Sequence, residues 1–258
     1  MPAKNDDKEV NFEELAMRYQ QSFQKLNELV ATMVHELRMP ISTIQGFAEL
    51  LSHGVEGSLT QEQEEDIKRI YNSANRISYI TDALMEDAYI IRLQSNIQTL
   101  EVESSDIKSC IDTFLSTQSV KIEKYGHKFI SVIPESLCVS ASCKVCLKLI
   151  AELLNNAVLY TPPPGQINLL IKREGHFALF KVTDTGVGIP EDELEHIFRY
   201  WFRGKHEIIR KHNNLGAGLY RVKQLVTLYG GTIGMESEVG RGSIFWFTLP
   251  LADADEEE

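Results

Sequence analysis

Ala31-Thr-Met-Val-His35-Glu36-Leu37-Arg38-Met39-Pro40 lies inside a long amphipathic helical pattern, and its reading sets the fold of the first third of the chain. Tyr19, Phe23, Leu26, Val30, Met33 and Leu37 recur at alternating steps of four and three, which is a coiled-coil seam. That seam puts His35 at heptad position f, opposite the apolar line, where its imidazole points into water. A nucleophile that must visit another protein needs such exposure. Glu36 beside it can polarise or accept the imidazole proton and leave the other ring nitrogen free to attack. Pro40 lacks an N–H and is expected to kink the helix just past the histidine. Taken alone, the pattern suits an ordinary surface histidine on a bundle helix; the downstream motifs reverse that reading.

Working outward, the helix is expected over Phe12–Leu51. His53-Gly54-Val-Glu-Gly57-Ser58 breaks it, and Thr60 with Gln63 forms a capping-box pattern for the next helix. That second helix carries Ile67, Ile70, Ala74, Ile77, Thr81, Leu84, Ala88 and Ile91, again at threes and fours. Two such helices make a hairpin with one apolar seam. A lone hairpin cannot bury a two-sided core, so two copies are expected to pair into a four-helix bundle, giving a homodimer.

After residue 96 the period changes. Ile97–Val102 alternates like a strand, 106–123 reads as a helix, and 127–133 and 137–139 read as strands. A helix from Cys143 to Tyr160 is stopped by Thr161-Pro-Pro-Pro-Gly165. A hairpin of Ile167–Arg173 and Phe177–Thr183 follows, then a helix after Pro190, another over Ala217–Tyr229, and strands at Thr232–Ser237 and Ser243–Leu249. The expected fold class is α+β: a helical hairpin at 12–95, then an α/β sandwich of one sheet and one helical layer at 96–251. Residues 1–11 read as a disordered segment and 252–258 as an acidic tail.

Lys and Arg total 26 against 37 Asp and Glu, a formal charge of −11. Nucleic-acid backbones need a basic footprint, so that partner class is set aside. No apolar run reaches the roughly 18 residues of a membrane span, and no secretory signal opens the chain. The expected location is the cytoplasm, including as the cytosolic part of a membrane-bound receptor. Cys138, Cys143 and Cys146 have a C-x4-C-x2-C spacing, with Cys110 as a further candidate ligand for an iron–sulfur cluster. Cys143 and Cys146 fall in an apolar helix, however, so buried reduced thiols are the expected state.

Three pieces point to a nucleotide. Asp184-Thr-Gly186-Val-Gly188-Ile189-Pro190 follows a strand directly: the glycines let backbone approach a ligand, and a buried carboxylate there can accept a hydrogen bond from an exocyclic amine such as N6 of adenine. Glu152 and Asn156 lie one turn apart on one helix face, and an amide oxygen suits Mg²⁺ held mainly by phosphates and water. Asn214-Leu-Gly216-Ala-Gly218-Leu219 opens a helix, where N–H groups and the dipole favour phosphate. Between the first and third lie Phe198-Arg-Tyr-Trp-Phe-Arg203 and then Lys205, Arg210 and Lys211, which read as a mobile basic lid over a polyphosphate.

His35–Pro40, the helix ending Asn156, Asp184–Gly188, Phe198–Arg203 and Gly216–Leu219 resemble, in order, the H, N, G1, F and G2 boxes of bacterial sensor histidine kinases of two-component systems. The resemblance covers roughly residues 20–250. It implies a dimerisation and histidine-phosphotransfer hairpin followed by a Bergerat-type ATP-binding domain. It also implies autophosphorylation from ATP with Mg²⁺ and transfer to an aspartate on the receiver domain of a response regulator. By that resemblance His35 is the phosphoacceptor, Glu36 its base, Asn156 a Mg²⁺ ligand with Glu152 beside it, Asp184 the adenine reader and Arg203 a γ-phosphate contact. Tyr160, Gly186, Gly188, Ile189, Gly216, Gly218 and Leu219 complete the nucleotide site.

Some positions depart from the pattern. The residue four past the histidine is usually Thr or Asn, which orients water for regulator dephosphorylation; here it is Met39, so phosphatase activity is in doubt. The first N-box position is Glu152 rather than Asn, Leu159 replaces a basic residue, and Trp201 replaces a Phe. Two other readings stay open on the residues. One is a hydrolytic ATPase of the same superfamily with Glu152 as base, marked by phosphate release without phosphoprotein. The other is a non-catalytic regulator-docking protein, marked by failure to bind ATP. No sensory domain is visible in the chain.

Overall fold

The computed structural model describes residues 12–54, 57–95, 104–206 and 216–252, and the chain divides into two compact units, Met1–Gln98 and Thr99–Glu258. The strand expected at 97–102, the two termini and the segment holding Arg210, Lys211, Asn214 and Leu215 lie outside the described residues.

The first unit is a helical hairpin of α1 (Phe12–Ser52) and α2 (Gln61–Ser95). Gly54 closes α1 in the left-handed region at φ +68°, which costs glycine nothing. The capping box at the start of α2 is reciprocal: the Thr60 N–H donates to Gln63 Oε1 at 2.9 Å, and the Gln63 N–H to Thr60 Oγ1 at 3.3 Å. α1 runs through Pro40 without interruption. Pro40 removes the N–H that would bond the Glu36 carbonyl, and the Thr43 hydroxyl donates to the Met39 carbonyl at 3.0 Å.

The seam between the helices differs from the expected one. From α1 it takes Val34, Ile41 and Ala48, one heptad apart, while Leu26, Met33 and Leu37 of the expected line are exposed. In α2 the expected line splits: Ile67, Ala74 and Thr81 are buried, whereas Ile70, Ile77 and Leu84 are exposed. The physical reason is stripe width. The stripe of α1 is apolar over more than the a and d positions, and its e positions are the ones buried against α2. Two polar pairs cross between the helices: Arg38 Nη2 to Asp82 Oδ1 at 3.1 Å, and Gln45 Nε2 to Asn75 Oδ1 at 2.7 Å.

The second unit is built on a mixed five-stranded sheet. Its elements are β1 (Ser104–Asp106), α3 (Lys108–Lys124), β2 (His127–Val132), β3 (Cys138–Ser140), α4 (Cys143–Tyr160), β4 (Gly165–Glu174), β5 (Phe177–Asp184), α5 (Glu191–Leu194), α6 (Gly218–Leu228), β6 (Ile233–Glu238) and β7 (Gly242–Pro250). The sheet order is β2-β4-β5-β7-β6, with β2 parallel to β4 and every other pair antiparallel; β1 and β3 form a separate antiparallel pair. Helices α3, α4 and α6 pack on the sheet. The core follows the strand period of two: Ile167, Leu169 and Ile171 of β4 and Phe180 and Phe247 of β5 and β7 are fully buried, the two rings stacked at 4.6 Å. α4 supplies Leu149, Ile150, Leu153 and Leu154 from its apolar face. Among the described residues no helix is long and apolar enough to cross a membrane.

The helix expected after Pro190 is present and four residues long, Glu191–Leu194. Beyond it the chain makes i→i+3 turns, with the His196 N–H donating to the Glu193 carbonyl and the Arg199 N–H to the His196 carbonyl. The cysteines are not all reduced thiols: Cys110 of α3 and Cys143 of α4 form a disulfide, with Cα atoms 6.6 Å apart, inside the usual range. The C-x4-C-x2-C spacing hid this because the partner comes from a helix 33 residues away. Cys138 and Cys146 are free; burial pushes the Cys146 thiol up to about 12, so it stays protonated and inert at neutral pH. Among the described residues no group of three or more His, Cys, Asp or Glu could hold a metal ion.

Candidate functional site: an exposed histidine and a nucleotide cavity

The two sets of candidate residues lie in different units. His35 and Glu36 are exposed on α1, as is Met39, which is 74% exposed. Val34 turns inward while His35, one residue on, faces solvent, so the packing of the hairpin orients the imidazole outward.

In the second unit a cavity opens where β5 ends. Asp184 is 6% exposed and pairs in register with Ser243 of β7. Its Oδ1 accepts N–H bonds from Gly186 at 2.8 Å and Ser243 at 3.2 Å. Burial pushes the carboxyl above the usual carboxylate range, and those two N–H groups pull it back. Both bonds fall on one oxygen, which leaves Oδ2 for a ligand donor. The loop that follows is pinned on two sides: the Val187 N–H donates to the Tyr160 carbonyl at 3.1 Å, and the Ile189 N–H to Ser237 Oγ at 2.9 Å. Gly188, at φ +70°, has no alternative, because a Cβ there would come within 2.1 Å of the Glu238 carbonyl.

Asn156 and Tyr160 of α4 line the cavity, with Asp184, Gly188, Ile189, Arg203, Gly216 and Leu219. Gly186 and Gly218 do not line it; they serve through backbone, Gly186 as donor to Asp184 and Gly218 as the first residue of α6. Glu152 is also absent from the lining. Its Oε2 stands against Gly218, where a Cβ would meet it at 2.6 Å. Gly216, at φ +73°, is packed so closely on the Phe202 carbonyl that a Cβ would lie 2.1 Å from it. The chain on either side of 206–215 is thereby drawn together.

Sequence reasoning did not single out Glu193, Ile197, Ser243 and Phe245, all of which line the cavity. Ile197 and Phe245 look like ordinary core residues. Ser243 matters because it faces Asp184 across the sheet, which no local pattern encodes. Glu193 carried one usable signal: it is an acid at an inward position of a short helical turn.

Comparison with known proteins agrees with this geometry. Residues 25–91 match the His Kinase A (phospho-acceptor) domain, and residues 145–253 match the histidine kinase-, DNA gyrase B- and HSP90-like ATPase family. The chain is 32% identical to the circadian input-output histidine kinase CikA of Synechococcus elongatus, over 86% of this chain and 30% of that protein. It is 29% identical to the sensor histidine kinase AruS of Pseudomonas aeruginosa, over 88% of this chain and 23% of that protein. The chain thus spans less than a third of the length of either relative. Among solved structures, full-length ShkA in complex with AMPPNP matches with a TM-score of 0.61 at 25% identity, over 87% of this chain and 46% of that one. The mycobacterial sensor histidine kinase MprB shares the fold at a TM-score of 0.51 and 24% identity, over 58% of this chain and 98% of that one. A phospho-acceptor hairpin and a gyrase- and HSP90-like ATPase unit in this order place the chain in the sensor histidine kinase family of two-component systems.

Proposed function

We propose that this chain is a histidine kinase core that phosphorylates His35 from ATP and passes the phosphoryl group to an aspartate of a response-regulator receiver domain. The observation that carries this reading is the pairing, in one chain, of a solvent-facing His35–Glu36 with a cavity whose buried carboxylate presents one oxygen to a ligand. An imidazole nitrogen of His35 attacks the γ-phosphorus, the N–P bond forms, the bond to the β–γ bridging oxygen breaks, and ADP leaves. Glu36 takes the imidazole proton. Such a transfer needs positioning and charge neutralisation more than covalent help, and Arg203 supplies charge at the cavity. Asp184 Oδ2 accepts from the adenine amine. The cavity suits Mg²⁺ held largely by phosphates and water: Asn156 of the lining offers a neutral amide oxygen, while Glu152, one turn earlier on α4, does not line the cavity. The metal would neutralise phosphate charge.

Glu152 is where a hydrolytic ATPase of the same superfamily would hold its base, and its carboxylate lies against Gly218 rather than in the cavity, which supports the kinase reading. The exposed Leu26, Met33 and Leu37 of α1 and Ile70, Ile77 and Leu84 of α2 support a homodimer formed by two hairpins. Met39 leaves no side-chain donor or strong acceptor four residues past His35, and the Thr43 hydroxyl is committed to the Met39 carbonyl; regulator dephosphorylation is therefore expected to be slow. The test is incubation with γ-labelled ATP followed by acid treatment. Acid-labile label that maps to His35 is the expected result; label on another residue, or phosphate release without phosphoprotein, refutes the reading.

A further inference from the structure

Glu193 is a carboxylate at the nucleotide cavity that the motifs leave without a role. It is 3% exposed and lines the cavity together with Phe202, Arg203 and Gly204. Glutamate is among the residues least often fully buried. An acid beside a polyphosphate site also repels the ligand, and its neighbours Leu194 and Ile197 are apolar, so packing does not call for a charge there. What the carboxylate does is visible: Oε1 accepts the backbone N–H of Lys205 at 3.0 Å. The adjacent Asp192 reaches the same residue, Oδ2 to Lys205 Nζ at 3.1 Å, but both side chains of that pair are mostly in water, where an ion pair adds little.

Lys205 is two residues past Arg203, and the intervening residue is Gly204, the most pliant link available. On the other side the Phe202 carbonyl is packed on Gly216. The stretch 202–205 is therefore gripped from two directions, by Gly216 at its start and by Glu193 at its end, with Arg203 between them.

We infer that Glu193 is a positioning residue: its buried carboxylate fixes the Lys205 backbone and so holds Arg203 toward the terminal phosphate of a bound nucleoside triphosphate. This rests on the reading of Arg203 as a γ-phosphate contact. Arg203 would distinguish triphosphate from diphosphate, whereas Asp184, the proposed reader of adenine, is a separate residue of the same cavity. Without the clamp, the rate of transfer and the preference for triphosphate are accordingly expected to fall while affinity for ADP is spared.

The experiment uses the full chain with Glu193→Ala, Glu193→Gln, Asp192→Ala and Arg203→Ala. Autophosphorylation kcat and KM are measured beside calorimetric affinities for ADP and a non-hydrolysable ATP analogue. Glu193→Ala should lower kcat by about 10- to 100-fold, the scale of a small misplacement. It should move the analogue-to-ADP affinity ratio toward that of Arg203→Ala and leave ADP affinity within about twofold. Glu193→Gln keeps an Oε1 acceptor and should recover most of the rate; Asp192→Ala should change little. If Glu193→Ala does not fold, Glu193→Asp, which retracts the carboxylate by one methylene, is read in the same way. Unchanged kcat and ratio in Glu193→Ala with a defective Arg203→Ala overturns the clamp alone, as does an equal fall in ADP and analogue affinity, or a Gln variant no better than Ala. An unaffected Arg203→Ala overturns the reading of Arg203 itself, and the clamp with it.

Discussion

The helical hairpin and the ATPase unit solve opposite problems. In the hairpin, His35 stands in water and so do many large apolar side chains, among them Met33, Leu37, Ile44 and Phe47 of α1. In the ATPase unit, Asp184 is buried, and Phe180, Phe247 and the aliphatic residues of β4 are sealed beneath the helices. The proposed phosphoacceptor has to meet a nucleotide and then a second protein, and would gain nothing from a pocket of its own. The carboxylate proposed to read adenine needs water excluded, since a hydrogen bond discriminates only where an unmade one is costly. The hairpin is chemically complete and structurally unfinished; the ATPase unit is the reverse.

The sharpest way to separate the two is His35→Gln. It should abolish acid-labile phosphorylation entirely while leaving ATP affinity unchanged by calorimetry, because no residue of the cavity is touched. Residual acid-labile phosphate at the parent level would show that the nucleophile lies elsewhere.

The unfinished face of the hairpin gives the next largest effect. Ile70→Glu with Ile77→Glu places two carboxylates on a stripe proposed to be buried by a second copy. Burying a charge without a partner costs several kcal/mol, so light scattering should report monomer where the parent is a dimer, with dimer affinity weakened by about 10³-fold or more. A parent protein that is already monomeric at micromolar concentration would end the proposal.

In the ATPase unit, Asp184→Asn keeps an Oδ1 to accept from Gly186 and Ser243 but turns a donor toward adenine, costing about 1–3 kcal/mol of ATP affinity. The pH dependence follows from the direction of the shift. The carboxyl of Asp184 is raised by burial, so its protonation begins above the ordinary carboxylate range. ATP affinity is present while the group is ionised and disappears as pH falls through the raised value. For stability the sign is opposite: a raised group favours the fold most below its unfolded value, and that contribution fades as pH rises through the folded one. Asp184→Asn should therefore not destabilise the unit at neutral pH. Calorimetry across mildly acidic pH and a thermal melt of the variant check both halves.

How much of this was legible in the sequence follows the same division. Long periodic elements and glycine-rich turns announce themselves locally, so α1, α2, α4, the β4–β5 hairpin and the Asp184–Gly188 loop were readable from residue order. Tertiary choices were not. Nothing within the repeat of α1 says that Val34, Ile41 and Ala48, rather than Leu26, Met33 and Leu37, face α2. Ser243 reaches Asp184 only through strand register, 59 residues away, and Cys110 finds Cys143 only when α3 packs on α4.

Met39→Thr probes the exposed unit with a smaller effect. Residues i and i+4 share a helix face, so a hydroxyl at position 39 would stand where a water could be oriented beside His35. Release of phosphate from a purified phospho-regulator in the presence of ADP should rise by about tenfold, less than the roughly 100-fold or more of a fully positioned general acid or base, with autophosphorylation unchanged. Rapid release with the unmodified chain, not raised by the substitution, would count against the role given to Met39.

The smallest effect returns to the ATPase unit and to a residue that breaks its pattern of burial. Trp201 is 61% exposed and holds a φ of +60°, a conformation that is costly for a bulky side chain. Its indole stacks on the ring of Tyr200, centroids 5.5 Å apart, and Tyr200 in turn meets Tyr220 of α6 at 4.9 Å. Such a partly solvated stack offsets only part of the strain. Glycine adopts the same backbone freely, so Trp201→Gly should raise the stability of the unit by about 1 kcal/mol, because the backbone strain it relieves is somewhat larger than the stabilisation that the indole stack provides. Urea denaturation at a fixed pH measures it. A fall in stability of similar size would mean that the ring stack, and not the neighbouring Phe202–Gly216 packing, holds this turn in place.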